Sequence, residues 1–292
     1  MSAKSDLKHS IINILKHNKD GSFKTQAVRK ERLLLVVEQL AEDGYKIRHI
    51  RQLQLKHVKF LVNRWLVQGL SAGTIKNRMT DLRWVMEKVG KESMIPQSNA
   101  KLNIPKRQYV TLQDRSIELT EGDLSNITDM NTKLSLILQR EFGLRREESI
   151  KIRINQAVVG NELCLQGSWA KNGRPRKIKI IYPSQWQAIK QVKAFVGKSR
   201  RALIPDDKKY VQQEDVYDNQ LKRAGIYHAH GLRYGYTQKR YEDLTGFPCP
   251  AKGGPLKSEM TDEQLKLDEA ARKQISSELG HNRISVLKIY CS

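Results

Sequence analysis

Tyr290 stands nine residues after His281 in the stretch Leu279-Gly280-His281-Asn282-Arg283-Ile284-Ser285-Val286-Leu287-Lys288-Ile289-Tyr290-Cys291-Ser292. With an ordinary pKa near about 10, a tyrosine hydroxyl is a poor nucleophile at neutral pH. It attacks only where fixed cations stabilise its anion, a base takes its proton and an acid serves the leaving group. Without such partners Tyr290 is an interfacial tyrosine with a packed ring and a wet hydroxyl, and His281 is a histidine at a helix start. The chain holds groups of the required types. Arg145 lies in Gly143-Leu144-Arg145-Arg146-Glu147-Glu148, Lys171 stands beside Asn172-Gly173, and His230 and Arg233 share His230-Gly231-Leu232-Arg233. Each has a plain alternative. Arg145 can simply pair with Glu148 one helical turn on, Arg174, Arg176 and Lys177 compete with Lys171, and His228 competes with His230.

The elements that must carry these residues are mostly helical. Residues 1–20 read as a short, poorly anchored helix or arm. Leu33, Leu34, Val37 and Leu40 repeat at helical spacing up to Gly44, and Leu55 to Leu66 form an apolar stripe ended by Gly69. A third helix starts at Ser71 or Thr74 and buries Ile75, Met79, Leu82, Val85, Met86 and Val89 before Gly90. Two prolines and a polar run mark residues 96–111 as a linker. Beyond it, Thr120 is an N-cap with Asp123 at the third helical position, and Leu134 to Phe142 mark a buried helix ending at Gly143. Alternation over Val158–Leu165 and Lys177–Tyr182 predicts strands around the Asn172-Gly173 turn. Helices resume near 186–196 and 214–224 and again after Arg233. The expected organisation is an N-terminal helical domain (1–95), the linker (96–111) and a mixed α+β domain (112–292). The fold class is mostly α with a small antiparallel β-sheet.

Charge indicates what such a chain holds. The 53 Lys and Arg against 31 Asp and Glu give a formal net charge of +22. The excess is +13 over residues 1–110 and +9 over the rest, so both halves are basic. Two basic folded units suit a clamp on one long polyanion, and a nucleic acid is the expected partner. A membrane is not expected, because no polybasic amphipathic helix or bilayer-length apolar run is present. Three widely spaced cysteines and no CxxC pair indicate neither a disulfide framework nor a zinc site, and suit a reducing cytoplasm. Lys76, Arg78 and Arg83 on the third helix, with Lys106 and Arg107 of the linker, are the candidate phosphate contacts.

Taken in order, these motifs resemble the tyrosine recombinase (phage integrase) family. Arg145 stands in the place of its first catalytic arginine, with Glu148 as the acidic residue that helps to hold it. Lys171 matches the hairpin lysine, His230-Gly231-Leu232-Arg233 the HxLR box, and Leu279-Gly280-His281 with Tyr290 the final LGH…Y pair. The first helices, including SAGTIKNRMTDLRWV, are similar to the family's core-binding domain. The resemblance covers nearly all of the chain after about residue 20. It implies an integrase of a bacterial mobile element, with a 3′-phosphotyrosyl intermediate and neither metal nor other cofactor. It also implies double-stranded attachment sites as partner, tetramer assembly on DNA, and accessory DNA-bending or directionality factors. Arg145 and Arg233 would clamp the phosphate, His230 would take the tyrosine's proton, His281 would donate to a phosphate oxygen, and Lys171 would protonate the leaving 5′-hydroxyl. The alternatives are a type IB topoisomerase-like enzyme, or a DNA-binding regulator that has lost cleavage.

Two features depart from the family pattern. The segment between Arg233 and His281 is long and, with Gly246, Pro248, Pro250, Gly253, Gly254 and Pro255, reads as an inserted surface loop. Only Cys291 and Ser292 follow Tyr290, which predicts a loosely held tyrosine in the free protein.

Overall fold

The computed structural model describes residues 2–108, 113–170, 173–199, 201–281 and 283–291. It divides into two compact units, Met1–Gln108 and Tyr109–Ser292.

The first unit is built from α1 (Ala3–His17), α2 (Phe23–Glu42), α3 (Leu55–Val67) and α4 (Ala72–Lys88). Ser2, Ser22 and Ser71 each cap a helix by accepting a hydrogen bond from the third helical backbone N–H. The apolar stripes of α2, α3 and α4 meet in one core containing Leu33, Val37, Leu61, Trp65, Ile75 and Met79. The N-terminal helix is well anchored rather than loose, because Leu7 and Ile11 are buried in the same core. Its apolar residues at four-residue spacing are the reason. Part of the expected linker also folds onto this unit. Leu102 and Ile104 join its core, and Arg83 donates twice to Pro96 O (2.8 and 3.2 Å) and once to Asn99 Oδ1 (2.9 Å).

The second unit begins with α5 (Glu121–Ser125), where Thr120 and Asp123 form a reciprocal capping box. It continues through α6 (Met130–Phe142), α7 (Arg146–Lys151) and α8 (Ile154–Ala157). The sheet is antiparallel in the order β1 (Val158–Val159), β2 (Glu162–Leu165), β3 (Arg176–Lys179), with Leu163 facing both Val158 and Ile178. The first expected strand is thus itself a tight hairpin, turned at Gly160-Asn161. There follow α9 (Pro183–Val196), α10 (Tyr210–Arg223), α11 (Gly231–Thr245), α12 (Asp262–Glu278) and the short α13 (Lys288–Cys291). One core lies under α6, α9, α10 and the sheet, and a second, tyrosine-rich one lies between α11, α12 and α13.

The expectation of an inserted surface loop needs correction. The long segment after Arg233 is not chiefly a loop, since Thr261 and Gln264 form a capping box that starts the 17-residue α12. The remaining connection is also more than surface. Cys249 is buried in the tyrosine-rich core, Phe247 and Ala251 pack on it, and Lys252 pairs with Asp114 at 2.9 Å. Its aromatic and thiol side chains have an apolar neighbour to bury against, which the proline and glycine content conceals.

Close packing between α6 and α11 depends on a glycine. Gly143 ends α6 in the left-handed region (φ 60°), and a Cβ there would lie 2.5 Å from Tyr236 Cδ1. Backbone strain and the clash therefore add. Gly143→Ala is expected to destabilise the protein by roughly 1–3 kcal/mol, read as a lower urea midpoint at unchanged m-value. An unaltered midpoint would contradict this account.

Candidate active site

Glu148 is the geometric centre of the site. It lies in the first turn of α7 with no exposed side-chain surface, and three arginines reach it from different elements. Arg145, the cap of α7, receives the Glu148 carboxylate on its own backbone N–H (2.8 Å) and donates from Nη1 to Oε1 (2.7 Å). From β3, Arg176 donates to both carboxylate oxygens, Nη1 to Oε1 at 3.0 Å and Nη2 to Oε2 at 2.6 Å. Arg233 of α11 comes within 3.9 Å of Oε2. Burial alone would raise the Glu148 pKa, but the Arg176 hydrogen bonds and the charges of Arg176, Arg145 and Arg233 bring it down to about 2.

The arginines also gather two backbone turns. Arg233 donates from Nη1 to Gly143 O (2.5 Å) and from Nη2 to Leu279 O (2.7 Å), and Arg145 Nη1 reaches the same Leu279 carbonyl at 3.4 Å. Arg176 Nε donates to Glu278 O at 2.8 Å. Gly280 is in the left-handed region (φ +66°), and a Cβ there would sit 2.9 Å from Arg176 Cδ. The glycine of the Leu-Gly-His step is thus needed both for backbone conformation and for the arginine's approach. Arg233 is entirely buried, yet burial and the neighbouring Arg145 lower its pKa only to about 10, so it stays charged at neutral pH. Arg145 keeps 24% of its side chain exposed and is the open member of the three.

Tyr290 meets this cluster on its aromatic side. Its hydroxyl is 3.5 Å from His230 Nε2, its ring stacks on His281 at 5.6 Å and 22°, and the Arg233 guanidinium lies 5.9 Å from the ring centroid. Tyr234 packs against the same ring at 4.6 Å. Tyr290 is only 7% exposed, so the expectation of a loosely held tyrosine is not met. Its ring is enclosed by aromatic neighbours, Cys291 is buried beside Cys249, and Gln238 Nε2 donates to its carbonyl oxygen at 3.2 Å.

Both histidines are held neutral. Burial, then the charges of Arg233 and Arg145, lower His230 to about 4 and His281 to about 3. His281 Nε2 is 3.1 Å from Arg233 Nη2. A guanidinium only donates, so this nitrogen accepts and the neutral ring carries its proton on Nδ1. That Nδ1 is buried and without a hydrogen-bond partner.

The structure thus brings together Arg145, His230, Arg233, His281 and Tyr290. Lys171 lies outside the described residues. The other candidate phosphate contacts belong to the first unit. Lys76 is partly exposed on α4, and the exposed Arg107 lies alongside Gly73 one turn before it. Lys106 is exposed as well, and Arg78 stacks over Trp65 at 5.1 Å with Nη1 buried and unpaired. Arg83 is occupied by Pro96 and Asn99. Among the described residues, no group of three His, Cys, Asp or Glu could hold a metal ion, and no helix is long and apolar enough to cross a membrane.

In the sequence, Arg176 stands out only as a rival to Lys171. Its signal is the strand period, because Arg176 shares a face with the buried Ile178 and Ile180, whereas Lys177 and Lys179 face outward. A charge on the buried face of a strand needs an ion partner inside.

Each of the two units matches the description of an integrase domain. The family description "Phage integrase, N-terminal" matches residues 4–95 and "Integrase" matches residues 109–239. The chain belongs to the phage integrase family of tyrosine recombinases, enzymes of site-specific DNA recombination. Among solved structures it is similar to a lambda integrase dimer bound to a COC′ core site, at 13% identity and TM-score 0.61 over 96% of this chain and 76% of that one. It is also similar to XerH bound to its difH substrate in a pre-cleavage complex (13%, 0.56, 98% and 81%). A third is the integrase of transposon Tn1549 in complex with transposon right end DNA (15%, 0.55, 100% and 95%). No curated protein matches the chain.

The two histidines provide a test of the site's electrostatics. Their protonated forms are disfavoured in the folded state, so both rings are expected to remain neutral at pH 6 in a histidine-detected NMR titration. Unfolded histidines take up protons near pH 6.5. Stability should therefore fall as pH drops from about 6.5 through about 4 for His230 and about 3 for His281, with Glu148 adding to the loss from about 4.5 towards 2. Ordinary titration of both rings near 6.5 would refute the assigned environment.

Proposed function

We propose that the chain cuts and rejoins double-stranded DNA at the attachment sites of a mobile element, with Tyr290 as the nucleophile. One observation carries this reading. The start of α7, the first turn of α11, the turn after α12 and α13 bring Arg145, His230, Arg233, His281 and Tyr290 around a single buried carboxylate. Their types are those a tyrosine attack on a phosphodiester requires.

The reaction can be written from these groups. The Tyr290 oxygen attacks phosphorus as its proton passes to His230, which is neutral and so able to accept it. The 3.5 Å separation is at the outer limit of a hydrogen bond, as is common before substrate is bound. Negative charge growing on the phosphoryl oxygens is met by Arg145 and by the buried charge of Arg233. His281, its Nε2 committed to Arg233, offers the unpaired Nδ1–H to a phosphoryl oxygen. The bond to the 5′-oxygen breaks, and that oxygen takes a proton, a role the family resemblance gives to Lys171. The product is a 3′-phosphotyrosyl bond and a free 5′-hydroxyl. The reverse attack, by a 5′-hydroxyl from a partner strand, restores the tyrosine and completes transfer with no external energy source.

DNA capture falls to the basic surfaces of both units, with Lys76, Arg78, Lys106 and Arg107 contacting phosphates. Arg83 acts instead by holding residues 96–99 in place. The similar lambda integrase structures include a dimer on a core site and a tetramer on a Holliday junction. The corresponding assembly here is a tetramer on paired sites, aided by a DNA-bending or directionality factor.

Tyr290→Phe removes one hydroxyl and little apolar packing, so folding and DNA binding should persist. On a nicked suicide substrate the wild type should form an SDS-resistant protein–DNA adduct at Tyr290 and the variant none. An adduct surviving in Tyr290→Phe, or mapped to Tyr234, Tyr236 or Tyr241, would overturn the assignment.

Log binding affinity should fall linearly with log salt, with a slope of about 0.9 per phosphate contacted. Replacing Lys76 or Lys106 by Ala should each reduce that slope by about one. A slope near zero for the wild type would rule out binding through phosphate neutralisation.

A further inference from the structure

Arg176 has no place in the strand-transfer reaction, yet it holds Glu148 more completely than either proposed phosphate-binding arginine. Its guanidinium is spent on protein groups, both Glu148 oxygens and the Glu278 carbonyl, and only 5% of its side chain is exposed. All three of its nitrogens donate to protein, so it is committed to Glu148 and the turn rather than to a substrate, whereas Arg233 keeps an Nε without a partner. Its effect has to pass through Glu148.

The consequence is one of charge balance. Glu148 contributes −1 to the cluster, and Arg145, Arg176 and Arg233 contribute +3. Without Arg176, the carboxylate would draw its full compensation from Arg145 and Arg233, and only one net positive charge would remain to face a phosphate. With Arg176 bound in two-pronged fashion, the Arg145 side chain needs only one hydrogen bond to Oε1, and Arg233 stays 3.9 Å away, directs Nη1 and Nη2 to backbone carbonyls and His281, and keeps Nε without a partner. Charge pairs of this kind are strong in a buried setting, so which arginine neutralises the carboxylate matters. The contact with Gly280 adds a steric role, since Arg176 lies directly under the turn that presents His281.

We propose that Arg176 is a positioning residue that neutralises Glu148, leaving the charge of Arg145 and Arg233 available to the scissile phosphate. This rests on the strand-transfer reading of the site.

The test measures single-turnover adduct formation on a nicked suicide substrate for wild type, Arg176→Met, Arg176→Lys, Glu148→Gln and Arg176→Met/Glu148→Gln. Each protein is assayed on a phosphodiester and on a substrate with a neutral methylphosphonate at the scissile position. On the phosphodiester, Arg176→Met should be slowed roughly 10–100-fold, the size seen when groups that orient metal ligands are lost. Arg176→Lys, which keeps the charge but not the two-pronged geometry, should fall between it and wild type. The defect should shrink on the methylphosphonate, where less charge needs to be neutralised. Removing the carboxylate in the double variant should restore part of the rate. A merely structural arginine would produce equal fractional losses on both substrates and no rescue, and that pattern overturns the proposal. If Arg176→Met melts below the assay temperature, the substrate comparison with Arg176→Lys decides by the same criterion. An absence of Tyr290 adduct from the wild type would instead remove the strand-transfer reading, and the proposal with it.

Discussion

A carboxylate buried out of reach of solvent cannot remain charged without partners, and the second unit is assembled around meeting that requirement at Glu148. Taking an ion out of water costs several kcal/mol, and only close, well-directed charges offset it. The partners come from the start of α7, from β3 and from α11, elements far apart in sequence. Their remaining donors then fix the backbone at Gly143, Glu278 and Leu279. Satisfying one buried charge thus places the hairpin, two helix ends and the Leu-Gly-His turn. A hydrophobic residue at 148 could fill the space, but it would not set the direction of three guanidinium groups. The ion cluster specifies geometry more than it adds stability.

The same cluster determines the state of both histidines. Surplus positive charge in a desolvated pocket penalises an imidazolium, so His230 and His281 stay neutral. Neutrality makes His230 an acceptor, and the Arg233 contact selects the tautomer in which His281 is a donor at Nδ1. In the proposed reaction the two chemically identical side chains thereby serve opposite uses without any difference in net charge. The asymmetry arises from hydrogen-bond geometry, and its source is the buried fork of Arg233.

Much of this is legible in the sequence, and the gaps have physical causes. Arg145, His230, Arg233, His281 and Tyr290 are visible because motif order survives when overall identity is low, and helix ends are visible because glycine and N-cap chemistry is local. The N-terminal helix looks loose because its buried face is narrow, though Leu7 and Ile11 suffice to seat it. The α12 helix is hidden by the proline- and glycine-rich run before it, although Thr261 with Gln264 gives a start signal of the same kind as Thr120 with Asp123. Arg83 is read as a phosphate contact from its charge alone, and sequence does not report that its Nε and Nη2 donate to Pro96 O and Asn99 Oδ1. Arg176 is easily overlooked for a related reason. A cation in a basic protein is readily assigned to the polyanion, and only the strand period reveals that this one faces inward.

The burial of Tyr290 follows from the arrangement of its neighbours. Its ring sits among Tyr234, His230 and His281, and its carbonyl accepts from Gln238, which also donates to Asp114. Asp114 in turn pairs with Lys252 of the connection between α11 and α12. Cys291, the next residue, is buried with Cys249 of that same connection. The connection therefore contributes to holding the helix that carries the hydroxyl, through one polar chain and one apolar contact. Excising it would expose the tyrosine-rich core and release the Tyr290 backbone together, since both depend on the same few residues. A segment that looks dispensable by composition is thus part of the support for Tyr290.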